Sequence, residues 1–454
     1  MKLTFISDNI ENTKCLHIFL CFDPNKFIKE FPFITEKGVK INYQGNNIVY
    51  YEIDKNTMFY TCNKIAKSIN KLNENNFCIY ISNIDNKYKL LILQLICKQI
   101  YKFDKYKTKN NNKNNINLYI KDLPKNKKFI LDIIHQINIT NLNRNFQNES
   151  SNIIYPESFV KYAINLLGKN KHLKINVLDN KDLKKQGFNL IHDMGKSSNN
   201  EPKFMIVNYL PDSKYKTICL IGKTVCFDTG GVNLKQYDKD LYQMKSDKTG
   251  GCTVISIIKY IIESNMKINI IGLLPIIDNS LSGNSINPGD IVKSYGNKTV
   301  EILNTDAEGR LIMADAFDYS NTLKNVDYIF DLATLTSSAE YYHCDVTAAI
   351  LTLNTKLKND IENISEHVGE RVYFLPPWLE YMELSKSQIA NVQNNNSSSC
   401  SKSGAFMASM FLANFVPKNL IDKWVHFDIT HIYTDHFSNG NCTILLINLL
   451  KNLS

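Results

Sequence analysis

The middle of the chain alternates short apolar runs with helical patterns, and this alternation limits the folds open to it. Four runs are apolar almost throughout, as expected of buried strands: IVNYL (206–210), TICLIGK (217–223), KINIIGLLPII (267–277) and DYIFDLATL (327–335). The segment GCTVISIIKYIIES (251–264) has the length and apolar density of a helix that packs on a sheet. Continuous apolar strands occur where helices cover both faces of a sheet. We therefore expect an α/β fold with a central, mostly parallel, mixed sheet covered by helices.

The chain has 454 residues, more than one ordinary core organises, so we expect two domains. In the N-terminal third, β-like runs alternate with helical stretches, of which residues 86–103 are the clearest. We assign residues 1–140 to a small, divergent N-terminal α/β domain and residues 141–454 to a larger α/β domain. A helical connector is expected over about residues 126–149, and Pro156 suits the start of the next helix. The clustered reactive residues all fall in the larger domain.

Composition and charge favour a soluble protein of the cytoplasm. Apolar residues make up 44% of the chain and charged residues 21%, and every apolar run is shorter than the roughly 20 residues of a membrane helix. The N-terminal stretch reaches Asp and Glu before any long apolar segment, so we expect no secretory signal. The 11 cysteines lack a CxxC pair and fit reduced thiols. The net charge of +9 comes from lysines spread along the whole length, which argues against a nucleic-acid partner.

The stretch NTDAEGRL (304–311) sets two acids and an arginine within five positions. If the stretch is extended, Asp306, Glu308 and Arg310 share one face, because alternate side chains of a strand point the same way. Two carboxylates aimed into one space repel each other unless a cation lies between them or one of them takes up a proton. The pattern therefore predicts a bound cation or a protonated acid.

Two upstream segments add further charged residues. IGKTVCFDTGGVNLK (221–235) contains Lys223, Asp228 and Lys235, with a Gly-Gly pair that permits a tight turn. MKSDKTGGCT places Asp247 directly before the expected helix. These acids fall at strand ends or loops, where α/β proteins build their sites.

Several common sites are excluded by the same segments. The tripeptide GKT (222–224) lacks the glycine that a Walker loop requires five positions before Gly222, because Thr217 stands there. The chain has no HExxH motif and no histidine between His192 and His343. A His-ligated zinc site and a Ser-His-Asp triad are therefore hard to build in this region.

Hard-cation binding remains as an explanation for the clustered acids. The segments contain four acids with a combined formal charge of −4: Asp228, Asp247, Asp306 and Glu308. Two divalent cations would balance that charge. Pairs of such ions hydrolyse both amides and phosphate esters, so both chemistries stay open at this point. The simpler alternative is that these acids cap helices and pair with surface lysines.

NTDAEGRL closely resembles the signature of the leucine aminopeptidase (cytosol aminopeptidase) family of di-metal exopeptidases. The resemblance extends through IGKTVCFDTGGVNLK, the MKSD segment, LLPIIDNSLSGNSINPGDIV (273–292) and DLATLT (331–336). GERVYFLP (369–376), SGAFMASMFLANFV (403–416) and WVHFDI (424–429) continue it, so that it covers roughly residues 150–450. It implies a metal-dependent aminopeptidase that removes the first residue of peptides with a free N-terminus, and a homo-hexamer.

The family pattern also implies a role for each residue of the site. Five residues would ligate two divalent ions, Zn²⁺ or Mn²⁺: Lys223, Asp228, Asp247, Asp306 and Glu308. Asp228 and Glu308 would bridge the ions. Lys223 and Asp247 would complete the position that also receives the substrate amine, and Asp306 would complete the one that holds the activated water.

Two further residues would act on the substrate and the water. Lys235 would polarise the scissile carbonyl, and Arg310 would hold a bicarbonate ion that accepts the proton of the attacking water. Substrate contacts are implied near Met244, Thr334 and Leu335.

The chain departs from the family pattern around this centre. Ser337 stands where glycine is usual, and YYHCD (341–345) replaces a segment that usually reads Ala-Leu-Gly. Lys248 and Thr249 follow Asp247 where Met and a small residue are usual, and THIY (430–433) replaces the usual Ala-Gly. We therefore expect catalysis with a side-chain preference that is broad or altered. The alternative is a catalytically impaired, aminopeptidase-like scaffold or binding protein.

The remaining candidate residues favour structural roles. His343, His426, His431 and His436 show no regular metal-ligand spacing, so we expect structural histidines. We expect Trp378 and Trp424 to be packing residues, and we expect Cys226 and Cys252 to be small buried apolar residues.

Overall fold

The structure is a computed structural model that describes most of the chain from residue 127 onward and separate segments before it. The described residues are 2–6, 16–21, 41–43, 46–52, 62, 67, 76–80, 86–108, 115–119, 127–235, 241–339, 347–395, 404–430, 433–434, 437–438, 440 and 442–454. The chain divides into two compact units, Met1–Leu142 with Ser365–Gly369, and Asn143–Ile364 with Glu370–Ser454. The domain boundary after residue 140 stays a prediction.

The first unit contains a six-stranded sheet among its described residues. Its strands are β1 (Lys2–Ile6), β2 (Leu16–Cys21), β3 (Ile41–Tyr43), β4 (Asn46–Glu52), β5 (Asn76–Tyr80) and β6 (Asn115–Tyr119). They lie in the order β1-β6-β5-β2-β4-β3, and each pair is parallel except β3 with β4. Helix α1 (Asn86–Ile100) forms where the sequence predicts it and ends three residues early. Among the described residues of this third, α1 lies between β5 and β6 in the chain, and the helical stretches predicted between the earlier strands lie outside the described residues.

The helices that follow include three that the sequence predicts, over about residues 126–149, from Pro156 onward and over 251–264. In chain order, the described helices are α2 (Lys127–Asn148), α3 (Pro156–Leu167), α4 (Asn180–Gln186), α5 (Asn189–Gly195), α6 (Thr249–Ser264), α7 (Glu308–Ser320), α8 (Thr355–Val368), α9 (Gly404–Ala413) and α10 (Thr443–Leu453). Pro156 occupies the first turn of α3, where its missing N–H removes no helical hydrogen bond. Three short 3₁₀ helices cover Leu241–Ser246, Leu379–Ser385 and Lys418–Lys423.

The second unit is built on a nine-stranded sheet of described strands. They are β7 (Leu173–Leu178), β8 (Lys203–Tyr209), β9 (Thr217–Gly222), β10 (Thr224–Asp228), β11 (Asn269–Asn279), β14 (Tyr328–Ala333), β15 (Ala348–Leu351), β16 (Val372–Phe374) and β18 (Trp424–Asp428). The remaining strands of this unit form smaller sheets: β12 (Ile291–Lys293), β13 (Thr299–Glu301), β17 (Val392–Gln393), β19 (Tyr433–Thr434) and β20 (Phe437–Ser438).

The nine-stranded sheet is mixed and mostly parallel. Its order is β16-β15-β18-β14-β9-β11-β8-β7, with β10 paired to β11. The pairs β14–β18, β14–β9, β9–β11, β10–β11 and β15–β16 are parallel, and the other three pairs are antiparallel. Every residue of β11 is buried, and both α6 and α7 pack on β9 and β11. The expectation of a central, mostly parallel, mixed sheet flanked by helices is confirmed.

Parallel pairing brings the carboxyl ends of β9, β10, β11, β14 and β18 to one edge of the sheet. Lys223 follows β9, and Thr334 follows β14. Asp228, Asn279 and Asp428 are the last residues of β10, β11 and β18. The topology therefore gathers polar residues from segments that lie far apart in the chain.

Cys226 and Cys252 are free and fully buried, as predicted. Within the described residues, no helix is both long enough and apolar enough to cross a bilayer.

Candidate metal centre

The stretch NTDAEGRL forms a turn and the start of a helix, so the expectation of an extended segment is wrong. Strand β13 ends at Glu301, and helix α7 begins at Glu308 with Ala307 at its N-cap. The Asp306 N–H donates to Asn304 Oδ1 at 2.8 Å, which closes a local turn that competes with an extended backbone. Glu308 lies in the first helical turn, where the unpaired N–H groups favour a carboxylate. The two acids are brought together by a helix start, and strand alternation plays no part.

Thr305 joins this turn to the loop after β10. Its hydroxyl donates to Gly230 O at 2.7 Å and accepts from the Asn233 N–H at 2.8 Å. Gly230 has a φ of +88°, and a Cβ there would lie 2.5 Å from Asn233 O and 2.9 Å from Asp306 Oδ1. Only glycine fits this turn without strain, because the backbone is left-handed and the space is filled.

Asp228 is buried, and its two oxygens have different partners. Oδ1 accepts from the Gly230 N–H at 2.9 Å and from Asn279 Nδ2 at 2.8 Å. Oδ2 lies 2.8 Å from Lys235 Nζ, which also pairs with Asp306 Oδ1. Lys235 therefore bridges two of the four predicted acidic ligands.

Asp247 lies between the 3₁₀ helix Leu241–Ser246 and helix α6, facing Lys223. The Lys223 ammonium is 2.9 Å from Asp247 Oδ1 and 3.0 Å from Glu308 Oε1, and it donates to Thr334 O at 2.6 Å. The Thr334 hydroxyl donates to Asp247 Oδ1 at 2.6 Å. A Cβ at Gly309 would lie 2.5 Å from Lys223 Cε, so the glycine of NTDAEGRL leaves room for this lysine.

Burial and mutual repulsion perturb the acids of the cluster. Burial and a neighbouring carboxylate raise the pKa of Asp306 to about 6 and that of Glu308 to about 8. Burial also raises the pKa of Asp247. Burial by itself lowers the pKa values of Lys223 and Lys235, but the adjacent carboxylates outweigh it and raise both above the ordinary lysine value. The site concentrates negative charge that two ammonium groups only partly balance.

The carboxylates fit a divalent cation. Asp228, Asp247 and Glu308 each offer an oxygen, and these oxygens lie within 4.8 Å of one another. Among the described residues, Asp247 Oδ2 and Glu308 Oε2 are buried without a hydrogen-bond partner. A buried carboxylate oxygen without a donor is unfavourable unless a cation meets it. The donor set of oxygens and one amine suits Zn²⁺ and Mn²⁺.

Arg310 lies in the first turn of α7, beside the acids. It is buried, and its Nη1 donates to Asn394 O at 2.7 Å. Its Nε has no hydrogen-bond partner in the described part of the chain. Burial lowers the pKa of Arg310 to about 10, so the side chain stays cationic at neutral pH. It can therefore hold a small anion next to the carboxylates.

The predicted substrate contacts lie around the same edge of the sheet. Thr334 is buried, and Leu335 and Met244 are partly buried. The Met244 carbonyl accepts from the Asp247 N–H at 3.1 Å. Ser337 is exposed, whereas the YYHCD segment lies outside the described residues. The roles of these residues in substrate binding stay predictions.

Sequence reasoning missed two residues that support the site. Asn279 joins Asp228 to Thr305, since its Nδ2 donates to both the Asp228 carboxylate and Thr305 O. Asp428 accepts from the Thr336 hydroxyl at 2.8 Å and from the Leu335 N–H at 3.2 Å. Both are polar residues that end apolar strands at the carboxyl edge, which is the one sequence signal that points to them.

Trp424 and His426 are buried and share Asp331 as a partner, whereas Trp378 is partly exposed. Trp424 is buried, and its Nε1 donates to Asp331 Oδ2 at 2.7 Å, as a packing residue would. His426 is also buried, with Nδ1 2.6 Å from Asp331 Oδ1, which fits the structural role predicted for it. Trp378 is 52% exposed, and its ring centre lies 6.0 Å from that of Tyr381, which fits a packing residue near the surface. The other three histidines considered, at 343, 431 and 436, lie outside the described residues.

Comparison with known proteins gives matches in sequence. The model of the cytosol aminopeptidase family, catalytic domain, matches residues 141–444. A probable cytosol aminopeptidase of Cenarchaeum symbiosum (strain A) is 38% identical over 287 residues, which are 63% of this chain and 57% of the relative. Probable cytosol aminopeptidase 1 of Shewanella oneidensis is 32% identical over 329 residues, 72% of this chain and 64% of the relative. The chain thus spans less than two thirds of the length of these curated relatives.

Solved structures share the fold. Leucine aminopeptidase (LAP1) of Caenorhabditis elegans has a TM-score of 0.84 at 22% identity, covering 100% of this chain and 99% of that one. The bottromycin maturation enzyme BotP, solved in complex with Mn, has a TM-score of 0.83 at 21% identity, with coverages of 97% and 99%. The family match over more than half of the chain agrees with the lysine and carboxylate cluster found at the sheet edge. On this combined ground, the chain belongs to the cytosol aminopeptidase family.

Proposed function

We propose that this protein is a metal-dependent aminopeptidase that releases the N-terminal amino acid from peptides. The observation that carries the proposal is the position of Lys223. Its Nζ lies at hydrogen-bond distance from Asp247 and Glu308, inside the set of carboxylates that fits a cation. A phosphoesterase built on two cations has no evident use for a lysine amine among its ligands.

Five residues would hold two divalent ions, Zn²⁺ or Mn²⁺: Lys223, Asp228, Asp247, Asp306 and Glu308. When bound, such a pair polarises a carbonyl and lowers the pKa of water, which supplies a nucleophile at neutral pH. Lys223 would ligate through its neutral amine, so its proton leaves when the site is loaded. Asp247 and Lys223 would form the side of the site that receives the free α-amine, which explains release of the first residue only.

The chain's other charged residues would act on the substrate. Lys235 would donate a hydrogen bond to the oxygen of the scissile carbonyl, where negative charge develops. Its Nζ lies between Asp228 and Asp306, beside the carboxylates that would hold the ions. Arg310 would hold a bicarbonate ion, which accepts a proton from the attacking water. Arginine itself cannot take that role, because it stays protonated.

Substrate side chains would be selected near Met244, Thr334 and Leu335. Asp428 fixes the backbone of the segment after β14 through Leu335 and Thr336. We propose that this segment, with Ser337 beside it, broadens or alters the side-chain preference. We also propose that the protein acts in the cytoplasm, since the matched relatives are named cytosol aminopeptidases. The family resemblance further implies a homo-hexamer.

The test is hydrolysis of a panel of amino-acid anilides by the purified protein. The protein is assayed after chelation and again with added Mn²⁺ or Zn²⁺. Cleavage that the metal restores supports the proposal and reports the side-chain preference. Phosphate release from a phenyl ester without anilide cleavage would support a phosphoesterase instead. Inactivity over the whole panel, with two metals bound by elemental analysis, would favour an impaired scaffold.

A further inference from the structure

Lys248, the residue after Asp247, is a fully buried lysine. Its side chain is 0% exposed. The ammonium donates to three backbone carbonyls: Gln147 O at 3.1 Å, Glu149 O at 2.9 Å and Lys245 O. An ammonium has three N–H donors, so these three acceptors satisfy all of its donors.

The carbonyls that surround this charge come from the ends of two helices. Helix α2 ends at Asn148, between Gln147 and Glu149, and Lys245 lies in the last turn of the 3₁₀ helix Leu241–Ser246. The last carbonyls of a helix lack helical partners and carry partial negative charge. Among the described ion pairs, none joins Lys248 to a carboxylate. Carbonyl dipoles therefore supply the compensation that a buried charge requires.

A second set of contacts fixes the end of α2 to α6. Asn143 Nδ2 and Gln147 Nε2 donate to the Thr253 hydroxyl at 3.0 and 3.1 Å. Asn143 and Gln147 are one helical turn apart, so one face of α2 meets the first turns of α6. Lys248 begins α6 as its N-cap residue, and its carbonyl accepts from the Cys252 N–H at 3.1 Å. The ammonium thus links three segments: the end of α2, the 3₁₀ helix and the start of α6.

Asp247 lies inside this linkage. Its N–H donates to Met244 O at 3.1 Å, and its carbonyl accepts from the Val225 N–H at 3.3 Å. The direction of its carboxylate depends on the backbone on both sides. Lys248 holds that backbone on the C-terminal side by tying it to carbonyls on a different helix.

We propose that Lys248 is a positioning residue of the metal centre, whose ammonium fixes the backbone that aims the Asp247 carboxylate at the bound cation. The inference rests on the metal centre of the proposed function. A neutral, apolar side chain of similar length would fill the space but donate to none of these three carbonyls. The segment 245–248 would then relax, and the carboxylate of Asp247 would lose its fixed direction.

The test compares Mn²⁺ affinity in three proteins: the wild type, Lys248→Met, and the matched control Lys245→Met. In the control, a lysine three residues away is neutralised, but its backbone carbonyl remains. Each chelated protein is titrated with Mn²⁺, and the unfolding of each metal-free protein is measured by urea. We expect Lys248→Met to bind Mn²⁺ about 10–100-fold more weakly, as is typical when a group that orients a ligand is lost. Lys245→Met should stay within about twofold of the wild type.

If Lys248→Met does not fold, the titration is made with Lys248→Gln, whose amide keeps two N–H donors without the charge. Wild-type affinity in whichever variant folds overturns the inference, even if urea shows reduced stability. If the wild type itself fails to bind Mn²⁺, the proposed function fails and this inference fails with it. A weakened affinity confined to position 248 supports both.

Discussion

At the scale of single residues, the two lysines of the metal centre lie among carboxylates in different ways. Lys223 is buried and faces Asp247 and Glu308, whereas Lys235 is partly exposed and faces Asp228 and Asp306. The buried lysine suits a ligand, because loss of its proton removes a buried charge. The partly exposed Lys235 suits contact with substrate.

Substitution of Asp306 and Lys235 should therefore have different effects. We expect Asp306→Ala to abolish anilide cleavage and to lower metal content, since a ligand is lost. Lys235→Ala should lower kcat by about 10²–10³-fold, the usual effect of removing one donor to a developing oxyanion, with metal content retained. Elemental analysis with steady-state kinetics measures both. Asp422→Ala, at an exposed acid, is the control, and loss of both metals in Lys235→Ala would contradict the assignment.

His426 should make stability depend on pH. Burial by itself lowers its pKa, but the Asp331 carboxylate outweighs burial and raises the pKa above the ordinary histidine value. The ion pair therefore contributes its full share of the free energy of unfolding at a pH below the unfolded-state pKa of the histidine. That contribution is lost as the pH rises through the folded-state pKa.

We expect the wild type to lose more unfolding free energy than His426→Gln as the pH rises from about 6, just below the ordinary histidine pKa, into the alkaline range. Urea unfolding at a series of pH values measures the two losses. The comparison cancels the titration of groups common to both proteins. Equal losses in the two proteins would show that His426 is neutral throughout this range.

At the scale of elements, the site is the meeting point of strand ends and helix starts. Lys223 and Asp228 come from the carboxyl ends of parallel strands, and Asp247 and Glu308 from the starts of α6 and α7. Helix N-termini favour carboxylates electrostatically, which partly offsets the repulsion between the acids. The approach of α6 to the sheet sets how far Asp247 lies from Lys223.

Gly250 controls that approach. A Cβ there would lie 2.2 Å from Leu332 O and 2.9 Å from the Lys223 backbone. Gly250→Ala should push α6 off the sheet and destabilise the protein by about 1–3 kcal/mol, as overpacking usually does. Helix propensity alone would predict the opposite effect, an increase of about 1 kcal/mol in the free energy of unfolding.

Urea unfolding measures the effect, and Gly283→Ala is the matched control. Gly283 lies in an exposed loop where an added Cβ would have nothing within 4 Å, so the change should stay within about 0.5 kcal/mol. A stabilised Gly250→Ala protein would show that α6 has more room than the structure gives it.

At the scale of the whole molecule, metal binding should be linked to folding. The four acids converge only in the folded second unit, so an ion that binds them stabilises the folded state. At a free ion concentration about 100 times the dissociation constant, the gain is about 2.7 kcal/mol.

Thermal unfolding of the chelated protein with and without Mn²⁺ measures this gain. We expect the unfolding temperature to rise with Mn²⁺ in the wild type and to rise less in Asp306→Ala. An identical rise in both proteins would place the stabilising ion elsewhere in the molecule.

The sequence by itself determined the α/β class, the charged residues that meet at the site, and the presence of three helices, predicted over 86–103, from Pro156 onward and over 251–264. Apolar periodicity reports secondary structure because burial of one face or of both is a local property of the pattern. The wrong prediction of an extended NTDAEGRL arose because alternating acids fit a strand and a helix start equally well over so short a stretch. The hydrogen bonds of Asn304 and the first turn of α7 decided between them.

Only the tertiary structure decided which residues support the centre. The sequence predicted no role for Asn279, Asp428 or Lys248, and each acquires its role from strands and helices that are distant in sequence. Contact between such residues depends on the order in which strands pair and on where helices end. Local sequence patterns do not specify the order of strand pairing or the place where a helix end meets the sheet, because packing across the whole sheet decides these two features.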